Sequence, residues 1–353
     1  MESIKEPLKF KYPASAFMLF LLLFAIGVEL IIFAVLAPSG LISADATGSL
    51  WFLFIMQLLR FVLPLFIWLA ITKDHFKRHM PRQPMGALNY VYVFFVSVLA
   101  IPAMMLVSGI TSLFVNNDVA DFLAGASDSG YTWVVMMLIV AVTPGIVEEL
   151  IFRGYIQSIS RGSIRKIALF NGLLFAIMHM NLHQFMYTFL LGIFFAYMVY
   201  YTRSIWSAIF SHFLVNGVNV SLMHWAMQSA QYTETAAEQT FSQLMYESFA
   251  AVDPALAQQL YDLFYDVDIM WIAIGMIAVI AIFATIAAVV LFYVLVQHNN
   301  KRNAAFDALK ADTAPAAAEA PVEEARQTKG IDWCLAWVIV IYIAMAIVLP
   351  RVL

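Results

Sequence analysis

Nine apolar stretches, each near or above the ~20 residues that a bilayer core requires, constrain everything else this chain can do. They cover roughly 16–37, 49–72, 88–115, 132–153, 164–180, 184–202, 204–226, 269–297 and 331–349. A backbone in lipid must satisfy its own N–H and C=O groups, so stretches of this length fold as helices. The expected fold is all-α, a multi-pass integral membrane helical bundle of about nine transmembrane helices. Composition agrees: 63% of residues are hydrophobic and 12% charged, outside the range of a soluble globular domain. The first stretch is too long for a signal-peptide apolar core, carries Glu29 and is followed by eight more, so it reads as an anchor. The single cysteine, Cys334, lies in an apolar segment and reads as a small core residue, which argues against thiol chemistry.

Loop charges give one consistent orientation. Lys5, Lys9 and Lys11 precede the first span, and Lys73, Lys77, Arg78 and Arg82 follow the second. Arg161, Arg165 and Lys166 follow the fourth, Arg203 the sixth, and Lys301, Arg302 and Lys310 the eighth. The alternate loops carry Asp45, then Asp118, Asp121 and Asp128, then the Glu234 to Asp268 stretch. The positive-inside rule therefore places the N-terminus in the cytoplasm of a cell-membrane protein. The chain divides into a two-helix membrane segment (1–86), a membrane core (87–226) and an acidic extracytoplasmic segment (227–268). A membrane helix (269–298), a flexible Ala/Pro linker (299–330) and a C-terminal membrane helix (331–353) follow. In 227–268 the apolar residues recur at three- and four-residue intervals around Asp253-Pro254, predicting two short amphipathic helices.

Charges inside the spans are costly and point to function. Glu29 and Arg60 sit at similar depth in antiparallel spans and are expected to form an ion pair. The fourth span ends Thr143-Pro144-Gly145-Ile146-Val147-Glu148-Glu149-Leu150-Ile151-Phe152-Arg153. Glu149 and Arg153 are spaced i, i+4 and can pair on one helix face. Glu148 points about 100° away and has no partner within its own helix. The fifth span ends in Phe175 and His179, and the seventh carries His212 and Asn216 on one face. Counted at ~1.5 Å per residue from the cytoplasmic ends, His179 lies ~20 Å deep, His212 ~12 Å and Glu148 ~6–10 Å. The three meet only if the helices tilt or Pro144-Gly145 redirects the fourth. His183 completes a His179-x-x-x-His183 spacing, which on one helix would place two metal ligands together.

A carboxylate, two imidazoles and an amide in one cavity suit hydrolysis. Glu148 would act as general base on a water oriented by His179, with His212 and Asn216 donating to the oxyanion. The same Glu148, His179 and His212 could instead hold a divalent metal such as zinc with one position open to water. The residues leave both open.

Glu148-Glu149-x-x-x-Arg153, Phe175-x-x-x-His179 and His212-x-x-x-Asn216, in this order on successive helices, resemble the CPBP intramembrane proteases. These are the type II CAAX prenyl endopeptidases and the Abi-like bacteriocin-processing proteins. The resemblance covers roughly residues 90–226 and implies an Abi/CAAX-protease-like catalytic core. It further implies an endopeptidase, commonly termed a metalloprotease, with Glu148, His179, His212 and Asn216 catalytic. Glu149, Arg153 and Phe175 would be supporting. The implied partners are the lipid bilayer and a membrane-associated peptide or protein substrate, with no nucleic acid. Two other classes compete: a non-catalytic immunity or receptor scaffold, which need not retain every one of these groups, and a transporter. The transporter would be expected to show inverted repeats, and the sequence has none apparent.

Overall fold

The computed structural model describes residues 10, 12–43, 46, 49–232, 241–264, 269–313 and 332–345. Lys5, Lys9, Lys11, Asp45, Glu234 and Asp268 lie outside them, as does the Glu319–Glu324 part of the linker. The described chain is an all-α multi-pass membrane bundle, in which seven helices are long and apolar enough to cross a bilayer. These are α1 (Pro13–Leu36), α2 (Leu50–Thr72), α3 (Ala87–Ser112), α5 (Trp133–Ile159), α7 (Leu182–Thr202), α8 (Ile205–Tyr232) and α11 (Ile269–Thr313). Of the other two expected spans, one is shorter and one is described only in part. Helix α6, Ile164–Met178, has 15 residues and a length of about 22 Å. Helix α12, Trp333–Ile343, is described over 11 residues.

Helix α4 (Asp118–Asp128) and the pair α9 (Phe241–Ala250) and α10 (Pro254–Phe264) are the short amphipathic elements. The last two match the pair expected from periodicity. Asp253 starts α10 by accepting from the Ala255 and Leu256 amides at 3.1 and 3.0 Å, with Pro254 in the first turn where its missing N–H costs nothing.

The linker expected from residue 299 is helical through Thr313, because polar side chains on α11 fasten it to the bundle. Asn299 and Asn89 exchange side-chain hydrogen bonds at 2.9 and 3.0 Å, and Asn303 donates to the Tyr201 carbonyl at 3.0 Å. Arg302 donates to the Pro84 carbonyl, and Arg203 grips Asp307 with both guanidinium nitrogens at 2.7 and 3.0 Å. An isolated bridge joins Arg82 to Ser204. His79 contacts Ser158 and Asp74, tying the loop after α2 to the end of α5. The loops expected to be basic therefore gather at one end of the bundle. Here burial raises the Asp74 carboxyl, but bonds from His79 and the His75 amide outweigh it and hold the group below its ordinary value.

Helices α6 and α7 form a tight hairpin. A Cβ on Gly172 would stand 2.7 Å from the Phe189 carbonyl oxygen, and one on Gly192 only 2.6 Å from the Gly172 Cα. Small residues at such a crossing let two membrane helices touch along their backbones. Gly172→Ala should therefore push α6 off α7 and lower the thermal midpoint of the detergent-solubilised protein, whereas Gly27→Ala, whose Cβ meets nothing within 4 Å, should leave it unchanged.

The expected Glu29–Arg60 ion pair is present between α1 and α2. Arg60→Leu would strand a carboxylate among apolar helices at a cost on the order of 2.5–3.5 kcal/mol. Its folded yield should fall, and adding Glu29→Gln should restore it; normal accumulation of the Arg60→Leu single mutant would refute the pair's role.

Candidate functional site

Glu149 is fully buried, and one of its oxygens receives two cationic or polar donors. Arg153 Nη1 donates to Oε1 at 2.9 Å across one helical turn, and His212 Nδ1 reaches the same oxygen from α8 at 2.7 Å. The other arginine nitrogen, Nη2, donates to the Gly192 carbonyl at 3.2 Å. A helix carbonyl becomes reachable there because Gly192 presents no side chain. Three rings complete the box: the Arg153 Cζ lies 4.2 Å from the centre of Phe175, 5.2 Å from Phe195 and 5.7 Å from Phe152. Guanidinium against aromatic faces is favourable where water is excluded. Phe195 also stacks on His212, with ring centres 5.4 Å apart.

Pro144 shapes the segment that carries the carboxylates. It sits at the start of a short α-helical piece, Thr143–Glu149, between two π-helical pieces, Met137–Val142 and Leu150–Ile156. Wide π turns of this kind recur at functional sites. Proline has no N–H to give, and the two carbonyls five and four residues before it find side-chain donors instead. Gln57 Nε2 donates to Ile139 at 3.3 Å, and Asn216 Nδ2 donates to Val140 at 3.0 Å. Gly145 brings α5 against α8: a Cβ there would lie 3.4 Å from the Phe213 nitrogen. Asn216, expected as an oxyanion donor, thus has one amide hydrogen committed to the backbone, and its second hydrogen is the one left over.

Glu148 behaves differently from its neighbour. It is 8% exposed; the Oε2 atoms of both carboxylates are buried without a hydrogen-bond partner, and the difference is that Glu149 Oε1 is bonded by Arg153 and His212. Phe175 packs edge-on against both His179 and His212, with ring centres 4.8 and 6.0 Å apart, so the two imidazoles meet at one ring. His179 Nδ1 donates to the Phe175 carbonyl at 2.8 Å, which leaves Nε2 as its free nitrogen. His212 spends Nδ1 on Glu149 and likewise keeps Nε2. Helix α6 ends at Met178, and Met180 adopts a positive φ of 47° before α7 begins, so His179 and His183 do not share a helix. The two-ligand spacing is therefore broken by a turn. Instead His183 is buried and contacts Ser112 Oγ at 2.8 Å. Among the described residues, no three His, Cys, Asp or Glu side chains are grouped to hold a metal ion. Glu148, His179 and His212 as arranged do not fit one.

The motifs fall within a single matched segment. Residues 130–218 match the Rce1-like family, type II CAAX prenyl endopeptidase. The matched stretch is about a quarter of the chain and runs from α5 into α8, carrying all seven residues read from the motifs. It supports a CAAX-type intramembrane protease. No curated protein and no solved structure matches the chain.

Several contributors were not visible in the sequence. Gln57, Gly192 and Phe195 act through contacts between distant helices, and Asn171 donates to the Phe152 carbonyl at 2.7 Å across 19 residues. The bond between His212 and Glu149 was also missed; an acid at the end of one span and a histidine in another were its only signal. Removing one partner of a buried ion pair typically costs about 3–5 kcal/mol. Arg153→Leu should therefore destabilise the protein by that order in chemical denaturation. Arg153→Lys should recover only part, since an ammonium cannot bridge Glu149 and Gly192 with a planar fork.

Proposed function

We propose that this protein is an intramembrane endopeptidase that hydrolyses a peptide bond of a membrane-associated protein or peptide with a water activated by Glu148. The observation that carries the reading is the division between the two carboxylates. Glu149 is engaged through Oε1 by Arg153 and His212, while Glu148, one residue away, is buried and engages neither. A desolvated carboxylate with no internal partner is suited to take a proton in the reaction.

In the proposed step a water held by His179 Nε2 loses a proton to Glu148 as its oxygen attacks the scissile carbonyl carbon. The carbonyl oxygen becomes an oxyanion that accepts from the remaining Asn216 amide hydrogen and from His212 Nε2–H, the ring being doubly protonated in this step with Nδ1–H on Glu149. Collapse breaks the C–N bond, and Glu148 returns the proton to the leaving amine. Glu149 and Arg153 fix His212 and do not touch the substrate, and Phe175 holds His179 through its carbonyl. The protein resides in the cell membrane, with the gathered basic loops and the N-terminus on the cytoplasmic side.

Peptide N-termini profiled in cells carrying wild type, Glu148→Ala or no copy, at matched membrane levels, should show new termini only with wild type. Asn216→Ala should reduce the rate on the order of 10²–10³, the usual cost of one oxyanion donor. Identical profiles in all three strains, with a cellular phenotype still rescued by Glu148→Ala, would replace the enzyme with a non-catalytic scaffold.

A further inference from the structure

Beyond the buried network, the basic end of the bundle holds a cavity of about 550 Å³ among the ends of α5 and α7, the loop after α2 and the far end of α11. Three arginines line it, Arg82, Arg153 and Arg203, against one acid, Asp307. Arg153 is answered by Glu149 from outside the cavity. Among the lining residues that leaves two guanidiniums for one carboxylate, a surplus of one positive charge.

The backbone brings Arg82 and Arg203 to the same place. The Gln83 amide donates to the Arg203 carbonyl and the Ile205 amide to the Pro81 carbonyl, both at 3.1 Å, around the bridge from Arg82 to Ser204. Arg82 spends one nitrogen on the Lys77 carbonyl, and a guanidinium has several N–H donors to give. Arg203 shows what kind of group fits. It holds both oxygens of Asp307, Nη1 to Oδ1 at 2.7 Å and Nη2 to Oδ2 at 3.0 Å, the two-point grip that a guanidinium also makes on phosphate. These side chains are 43% and 56% exposed, and an ion pair this wet adds little to stability. An external oxyanion that also meets Arg82 can therefore take the carboxylate's place. The far end of α11 does not depend on the pair, because Asn299 with Asn89, Arg302 with the Pro84 carbonyl and Asn303 with the Tyr201 carbonyl fasten it separately.

Depth selects the source of the phosphate. Ser158 and Tyr200 stand in the last turn of helices that cross the bilayer, where hydrocarbon gives way to headgroups. Tyr200 and Phe306 border the cavity and are about half exposed, as aromatic side chains are where a membrane meets water. A soluble phosphate would meet the arginines alone, whereas a phospholipid would also lay its chains along these rings. Basic pockets between helix ends are suited to anionic headgroups.

We infer that this cavity binds one anionic phospholipid of the adjoining leaflet, its phosphate bridging Arg82 and Arg203 in place of Asp307 and its chains lying against Tyr200 and Phe306. The inference does not rest on the reading of Glu148, and its test needs no turnover.

The full-length protein in detergent is titrated with phosphatidylglycerol or phosphatidylcholine, and retained lipid is counted by native mass spectrometry. Wild type should keep one phosphatidylglycerol in preference to phosphatidylcholine. Arg82→Gln and Arg203→Gln should each weaken retention about fivefold, the usual effect of one basic residue on an anionic headgroup. Arg161→Gln, in a basic loop outside the cavity lining, should leave it unchanged. Asp307→Asn separates a lipid site from a plain brace between helices: it removes the internal competitor and should tighten retention several-fold. Inorganic phosphate at the lipid's concentration should displace none of it. Equal retention of the two lipids, retention unchanged or weakened by Asp307→Asn, an equal loss in Arg161→Gln, or displacement by inorganic phosphate would each overturn the inference.

Discussion

A carboxylate sealed inside a membrane bundle needs its charge answered, and Glu149, bonded twice through Oε1, sets that demand for this fold. One helical turn supplies Arg153, but a lone arginine in the same place would itself be a buried charge with unused donors. The guanidinium gains a second acceptor from α7, where Gly192 exposes a carbonyl, and aromatic faces from α5, α6 and α7. His212 closes the set from α8. Four helices are thereby tied to one oxygen and one guanidinium. The tight α6–α7 crossing at Gly172 and Gly192 serves the same end, because a side chain at either position would lift the carbonyl out of reach.

That arrangement frees Glu148. Adjacent residues on a helix point about 100° apart, so fixing one carboxylate rigidly fixes where the other goes without engaging it. Pro144 adds a second constraint. The carbonyls it leaves without their usual donor, Ile139 and Val140, are taken by Gln57 from α2 and Asn216 from α8. A helix break in lipid is tolerated when neighbouring side chains re-satisfy the backbone. Here the re-satisfying groups also lock α5 against α8, so the break becomes a positioning device. Asn216 serves backbone and site at once, which is why an amide fits there and a purely apolar residue would leave Val140 unsatisfied.

Local spacing carried much of this in the sequence. The pairing of Glu149 with Arg153 follows from i, i+4 geometry, the pairing of Glu29 with Arg60 from depth, and the two helices around Asp253-Pro254 from periodicity. What spacing could not carry were contacts decided by helix crossings: His212 to Glu149, Asn171 to Phe152, and the arginine against Gly192. The unequal depths counted for Glu148, His179 and His212 assume straight α-helices. The π pieces on both sides of Thr143–Glu149 and the early end of α6 remove that assumption. Hydropathy likewise ran the fifth span to residue 180, past the end of α6 at Met178, because an apolar run does not reveal where a helix stops. The turn at Met180 is invisible to a residue scale.

The bundle's two ends are built for opposite purposes. At the basic end, Arg203 with Asp307, Arg302 with Pro84, and the bridge from Arg82 to Ser204 cross-link loops that are distant in sequence. At the other end Ser112 meets His183 and the Ser108 carbonyl, and Asn117 accepts from the Ala120 amide at the start of α4. A substrate backbone unwound for hydrolysis exposes N–H and C=O groups that cost several kcal/mol each if left dry. Rigidity at the basic end holds the Glu149 network in place, and with it the position of Glu148 one residue away, where such groups would be met.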